Sequence, residues 1–136
     1  MEVQRRFNLI WQTLFKHLDQ IPAVVQERKE LQYQVRLQQM LLFIEQNYMN
    51  PVTLQDISNS ANISKSEASR CFHAYLKCSP VDYLLQYRIE VSQRLLFDTN
   101  RSIQEISLEC GFNSSSYFIK TFRKKAGISP GEYRKT

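Results

Sequence analysis

Apolar residues recur every three to four positions through most of this chain, the period of a helix packed on one side. Phe7, Ile10, Trp11, Leu14 and Leu18 make one such stripe and predict a helix from Glu2 to Leu18, ended at Ile21-Pro22. A second, longer helix is expected to reach Tyr48, with Leu31, Val35, Leu37, Leu41, Ile44 and Tyr48 on its packed side and Asn50-Pro51 closing it. From Thr53 onward the periodic segments become short, and the pattern predicts helices over roughly 54–61, 65–76, 80–97, 103–110, 115–125 and 130–134. No alternating Val/Ile/Thr run bounded by turn residues occurs, so strands are not expected.

Polar punctuation marks the starts of these short helices. Ser64/Glu67, Ser79/Asp82, Ser102/Glu105 and Ser129/Glu132 have the spacing of a capping box, and Thr53/Asp56 is of the same type. The hydroxyl satisfies a first-turn amide while the acid reaches back to the cap. Pro80 and Pro130 each follow a serine cap, at the first helical position, where proline is favoured.

The punctuated part of the chain repeats itself. Leu54, Ile57, Ser58, Ala61 and Ile63 recur 49 residues later as Ile103, Ile106, Ser107, Cys110 and Phe112. Arg70, Phe72, Ser79, Pro80 and Tyr83 recur 50 residues later as Lys120, Phe122, Ser129, Pro130 and Tyr133, so one residue is inserted near the start of the second copy's second helix. Each copy reads as short helix, tight turn, second helix, the build of a helix-turn-helix. Gly111 in the second copy, and Asn62 in the first, suit a left-handed turn residue. Small Ala61 and Cys110 let the paired helices approach. A connecting helix of about 18 residues would be about 27 Å long, enough to hold two reading helices near one DNA turn, roughly 34 Å, apart.

Composition adds a direction. The formal charge is +5, and residues 51–136, with twelve Lys/Arg against eight Asp/Glu, carry +4 of it. Between Ser114 and Lys125 stand Lys120, Arg123, Lys124 and Lys125 and no acid. Such a run is either a solvated face or a nucleic-acid surface. Three cysteines (Cys71, Cys78, Cys110) cannot all pair within the chain, no C-x-x-C occurs, and His17 and His73 lie far apart. No metal site, cofactor or catalytic grouping is therefore expected, and a reducing cytoplasm suits the odd cysteine count. No apolar run of membrane-spanning length is present.

From Ile106 to Lys124, and again over Gly127-Ile128-Ser129-Pro130-Gly131-Glu132-Tyr133-Arg134, the chain resembles the DNA-binding domain of the AraC/XylS family of transcription regulators. Ser64 to Phe72 and Ser79 to Tyr83 match the first unit of that pattern, and the resemblance covers residues 53–135. It implies an all-α fold of two homeodomain-like helix-turn-helix subdomains joined by a long central helix. Residues 37–136 would be that domain and residues 1–36 a helical extension. The extension resembles the terminal helices and linker of an upstream effector or dimerisation domain. For residues 1–50 two readings stand side by side: a helical hairpin within the monomer, and a dimerisation surface or the tail of a missing upstream domain. Two kinds of departure from the family occur: Lys77 replaces the glycine matched by Gly127, and Ser58 and Ser107 replace alanine.

The resemblance implies base-reading positions at Lys65, Ser66, Ser69 and Arg70 in the first unit and Ser115, Ser116, Tyr117 and Lys120 in the second. Thr121, Arg123 and Lys124 are expected on phosphates. Glu67 ranks first as a capping residue, ahead of a cytosine reader, and Arg70 as a reader ahead of a surface ion pair. Arg88 is expected in a structural bond or ion pair, and Phe72, Phe118, Phe122, Tyr83 and Tyr133 in the core. The expected partners are double-stranded promoter DNA, a second copy through residues 1–50 and RNA polymerase, with no membrane. The contrasting function is a helical protein-interaction module with vestigial DNA binding.

Overall fold

The computed structural model describes residues 24–136, and those residues hold seven helices and no strand. They are α1 (Val24–Asn47), α2 (Leu54–Ser60), α3 (Lys65–Leu76), α4 (Pro80–Asp98), α5 (Ile103–Glu109), α6 (Ser115–Ala126) and α7 (Pro130–Lys135). The expected helix from Glu2 to Leu18 lies outside the described residues. Elsewhere the element ends fall within a residue or so of the expected ones, because the caps act as the sequence suggests. Thr53, Ser64, Ser102 and Ser129 each accept a hydrogen bond from the amide three residues on. Asp56 completes the box at α2 by accepting from the Thr53 amide at 2.9 Å. That bond holds its carboxyl below the usual range. Ser114 caps α6 in the same way with Tyr117, a residue that has no acid to return the bond.

The chain divides into two compact units. One comprises the described residues 24–46 with Val52–Val81, the other Asn47–Pro51 with Asp82–Thr136. The expected boundary at 36/37 falls inside the continuous helix α1.

In the first unit, α2 packs on α3, and Ile57, Ala61, Ala68, Cys71 and Phe72 are buried with Leu37, Met40, Leu41 and Ile44 of α1. The packed side of α1 differs from the expected one: Leu31 and Val35 are exposed and Gln34 is buried. Polar contacts tie α1 to α3 about once per turn. The Tyr75 hydroxyl donates to Glu30. The Cys71 thiol donates to the Tyr33 carbonyl at 3.5 Å, and Arg36 reaches Glu67 at 3.4 Å.

In the second unit, Ile89, Leu96, Ile106, Cys110, Phe112, Phe118 and Phe122 form one buried cluster, with Tyr133 packed against it. An aromatic column runs through it, with ring centres 5.1 Å apart from Phe112 to Phe118, 5.7 Å from Phe118 to Phe122 and 5.5 Å from Phe122 to Tyr133. Tilted pairs at such distances add about 0.5–1.5 kcal/mol each beyond their buried area. Arginines close two helix ends. Arg134 donates to the carbonyls of Leu96 and Thr99 at 3.2 and 3.3 Å, at the end of α4. Arg88 donates to those of Tyr48 and Asn50 at 2.8 and 2.9 Å, just past the end of α1. The expectation of a structural role for Arg88 holds, with backbone carbonyls rather than carboxylates as partners.

Candidate nucleic-acid interface

The repeat seen in the sequence recurs in two backbone hydrogen bonds of each turn. Asn62 donates to the Asn59 carbonyl at 3.0 Å and Ile63 to that of Ser58 at 3.1 Å. Forty-nine residues later Gly111 donates to Leu108 at 3.1 Å and Phe112 to Ser107 at 2.9 Å. The buried Ser58 and Ser107 hydroxyls each return to the carbonyl three residues back, Gln55 and Gln104, at 3.0 and 2.7 Å. Serine is therefore tolerated where the family has alanine, because its hydroxyl is satisfied inside its own helix. Asn62 and Gly111 are both left-handed, with φ of 56° and 94°. Beyond the turn the caps Ser64 and Ser114 are 50 apart, so the inserted residue is Asn113.

The same turn geometry is repeated at the far end of each second helix. Lys77 stands at φ 58° where Gly127 stands at φ 86°. A left-handed lysine costs about 1 kcal/mol relative to glycine.

These turns set which side of α3 and α6 faces inward. Ala68, Cys71 and Phe72 are buried on α3, and their counterparts Phe118, Thr121 and Phe122 on α6. The opposite sides carry the expected reading residues. Lys65, Ser66 and Arg70 are exposed and Ser69 half-buried; Ser116, Tyr117 and Lys120 are exposed and Ser115 half-buried. Within each unit these residues share one solvent-facing surface of one helix. Thr121, expected on a phosphate, is 8% exposed and occupies the position that Cys71 has in the first unit. Arg123 and Lys124 are exposed, and with Lys125 they fill the last turn of α6. Cations there also suit the negative end of the helix.

Two features of the surfaces were not legible in the sequence. Tyr117 leans on Phe112, ring centres 5.8 Å apart, which limits how far its ring swings. Arg88 lies over the same Phe112 ring, its Cζ 5.8 Å from the ring centre, and burial pushes its pKa down. The second is the Arg36–Glu67 pair, 31 positions apart in sequence, for which no local spacing gives a signal. Among the described residues no grouping of His, Cys, Asp and Glu could hold a metal ion, and no helix is long and apolar enough to cross a membrane.

Comparison with known proteins agrees with this geometry. Residues 57–136 match the family model of a helix-turn-helix domain. The chain is 34% identical to a transcriptional regulator with an AraC-type DNA-binding domain from Chromobacterium violaceum, whose crystal structure superposes with a TM-score of 0.70 over 74% of this chain and 90% of that one. The chain belongs to the AraC/XylS family and carries its DNA-binding domain. It is 32% identical over 135 residues to YdeC, an uncharacterized HTH-type transcriptional regulator of Bacillus subtilis, covering 99% of this chain and 45% of that protein. It is 37% identical over 102 residues to the melibiose operon regulatory protein of Escherichia coli, covering 75% of this chain and 34% of that protein. The chain thus spans less than half the length of these two relatives.

Proposed function

We propose that this chain is the DNA-reading end of a transcription regulator, with α3 and α6 each entering a major groove of one promoter site, the two grooves successive along the duplex. The repeated turn carries the reading: the same hydrogen bonds, 49 residues apart, aim the same side of each second helix at solvent. Lys65, Ser66, Ser69 and Arg70 read one half of the site, and Ser115, Ser116, Tyr117 and Lys120 the other. Arg and Lys donate to guanine edges, while serine hydroxyls accept several bases. Arg123 and Lys124 bind phosphates, which fix register and carry no sequence information. The similar DNA-binding domain of the global transcriptional factor AdpA, 25% identical with a TM-score of 0.70, was solved in complex with a target DNA.

Because the units are joined in tandem, the site is asymmetric for each copy of the chain. Exposed Leu31, Val35 and Leu42 on α1 support self-association through residues 1–50. RNA polymerase is the partner that promoter regulation requires, and the cytoplasm is the place of action. Selection of bound duplexes from a random pool tests the reading. An asymmetric two-part motif is expected. Failure to enrich any sequence at low salt would overturn it in favour of a helical protein-interaction module.

A further inference from the structure

Glu67 is an acid placed among the expected readers of the first unit. It follows Ser66 directly and precedes Arg70 by three residues, so on a helix its carboxylate and the Arg70 guanidinium are neighbours able to pair. In the structure the carboxylate is engaged elsewhere. Arg36 Nη1 of α1 lies 3.4 Å from Glu67 Oε2, and the Ser64 hydroxyl donates to Oε1 at 3.4 Å. Arg70 is exposed and makes no ion pair among the described residues. Arg36 is half-buried, and α1 is held along α3 by two further contacts, Glu30 with Tyr75 and the Tyr33 carbonyl with Cys71. The second unit has no counterpart of this conflict: Tyr117 fills the position matching Glu67, and the run around it contains no acid.

We propose that Arg36 is a positioning residue for the first reader: by holding the Glu67 carboxylate toward α1, it keeps Arg70 available to DNA. Without Arg36 the carboxylate turns to Arg70, occupying donors that a guanine edge needs and cancelling the positive charge that Arg70 offers to the DNA. The base preference of the first half of the site thereby depends on how α1 lies along α3. This inference rests on the proposed reading role of Arg70.

The test is equilibrium binding of Arg36→Gln, Glu67→Gln, the double variant and Arg70→Ala to the selected duplex and to duplexes altered in one half. Arg36→Gln should weaken binding about threefold, the scale of a helix-neighbour ion pair competing with a base contact. Its discrimination should relax only at positions read by the first unit. The double variant should return to within about twofold of Glu67→Gln, since with no carboxylate to restrain Arg36 has nothing to do. In an Arg70→Ala background, Arg36→Gln should add less than about twofold. A double variant as weak as Arg36→Gln alone overturns the proposal, because Arg36 would then act on DNA or on folding directly. An Arg36→Gln protein that binds and discriminates as wild type overturns it equally. If Arg70→Ala itself binds every duplex as wild type, the failure lies with the reading role of Arg70, and the proposal falls with it.

Discussion

Arg88 Nε donates to the backbone carbonyl of Tyr48 at 2.8 Å, and a Cβ added at Gly111 would collide with the same carbonyl. One oxygen is therefore fixed by a guanidinium and crowded by a turn glycine, so the turn that positions α6 is set partly by an arginine on α4. Truncating Arg88 leaves the Tyr48 and Asn50 carbonyls without their charged donor. Arg88→Ala should lower the free energy of unfolding by about 2–4 kcal/mol, given that hydrogen bonds to charged groups are worth about 1.5–3 kcal/mol each. Arg88→Lys should recover only part of this, because one ammonium cannot reproduce a two-pronged donor. Urea denaturation of the three proteins checks both statements.

The glycines of the second unit should differ sharply under substitution. At Gly111 an alanine meets the Tyr48 carbonyl and the Arg88 side chain, in addition to the left-handed strain, and should cost about 3 kcal/mol or more. At Gly127 an added Cβ meets nothing within 4 Å, so alanine there should cost only about 1 kcal/mol of backbone strain. Conversely, Lys77→Gly should stabilise the first unit by up to about 1 kcal/mol, less what the more flexible unfolded chain takes back. Thermal unfolding of the three variants orders them.

Two thiols should report burial. Desolvation pushes Cys71 to about 11 and Cys110 to about 12, from an ordinary 9.0. Both thiols are neutral at pH 7 in either state, so neither costs stability there. As pH rises past 9.0 the unfolded chain releases these protons while the folded one retains them until about 11 and 12. Stability should therefore fall progressively above about pH 9. Burial also raises the Tyr48 and Tyr75 hydroxyls, which acts in the same direction. Urea midpoints between pH 7 and pH 10.5 measure the decline. At pH 7.5 Cys71 and Cys110 should resist alkylation until the protein is unfolded.

Salt dependence separates phosphate grip from base reading. If Arg123 and Lys124 each neutralise one phosphate, replacing both with glutamine should reduce the slope of log affinity against log salt by about 1.8. The order of preference among duplexes should be unchanged. Titrations across several salt concentrations on two unequal sites give both quantities.

Where side-chain chemistry is local, the chain announces its structure. Each hydroxyl cap bonds within three residues of itself, so the starts of α2, α3, α5, α6 and α7 are written in adjacent letters. The turns are legible for the same reason, since Asn62 and Gly111 suit a backbone sign that few residues accept. Helix α1 is harder. Its 24 residues carry two apolar sides, Leu31, Val35 and Leu42 on one and Leu37, Met40, Leu41 and Ile44 on the other. Periodicity does not say which side its neighbours take. Thr121 stands beside Arg123 and Lys124 in sequence, while its angle around the helix is that of Cys71. Arg36 and Arg88 find partners 31 to 40 positions away, and for Arg88 these are carbonyls, which every residue possesses.

The central claim is that two units read two separate halves of one site. Binding of Arg70→Ala and Lys120→Ala to a library in which each position of the selected duplex is varied tests it most directly. The account predicts that Arg70→Ala loses discrimination at one half and Lys120→Ala at the other, with each change costing about 1–3 kcal/mol at its own position. Equal weakening on every sequence by both variants would contradict it.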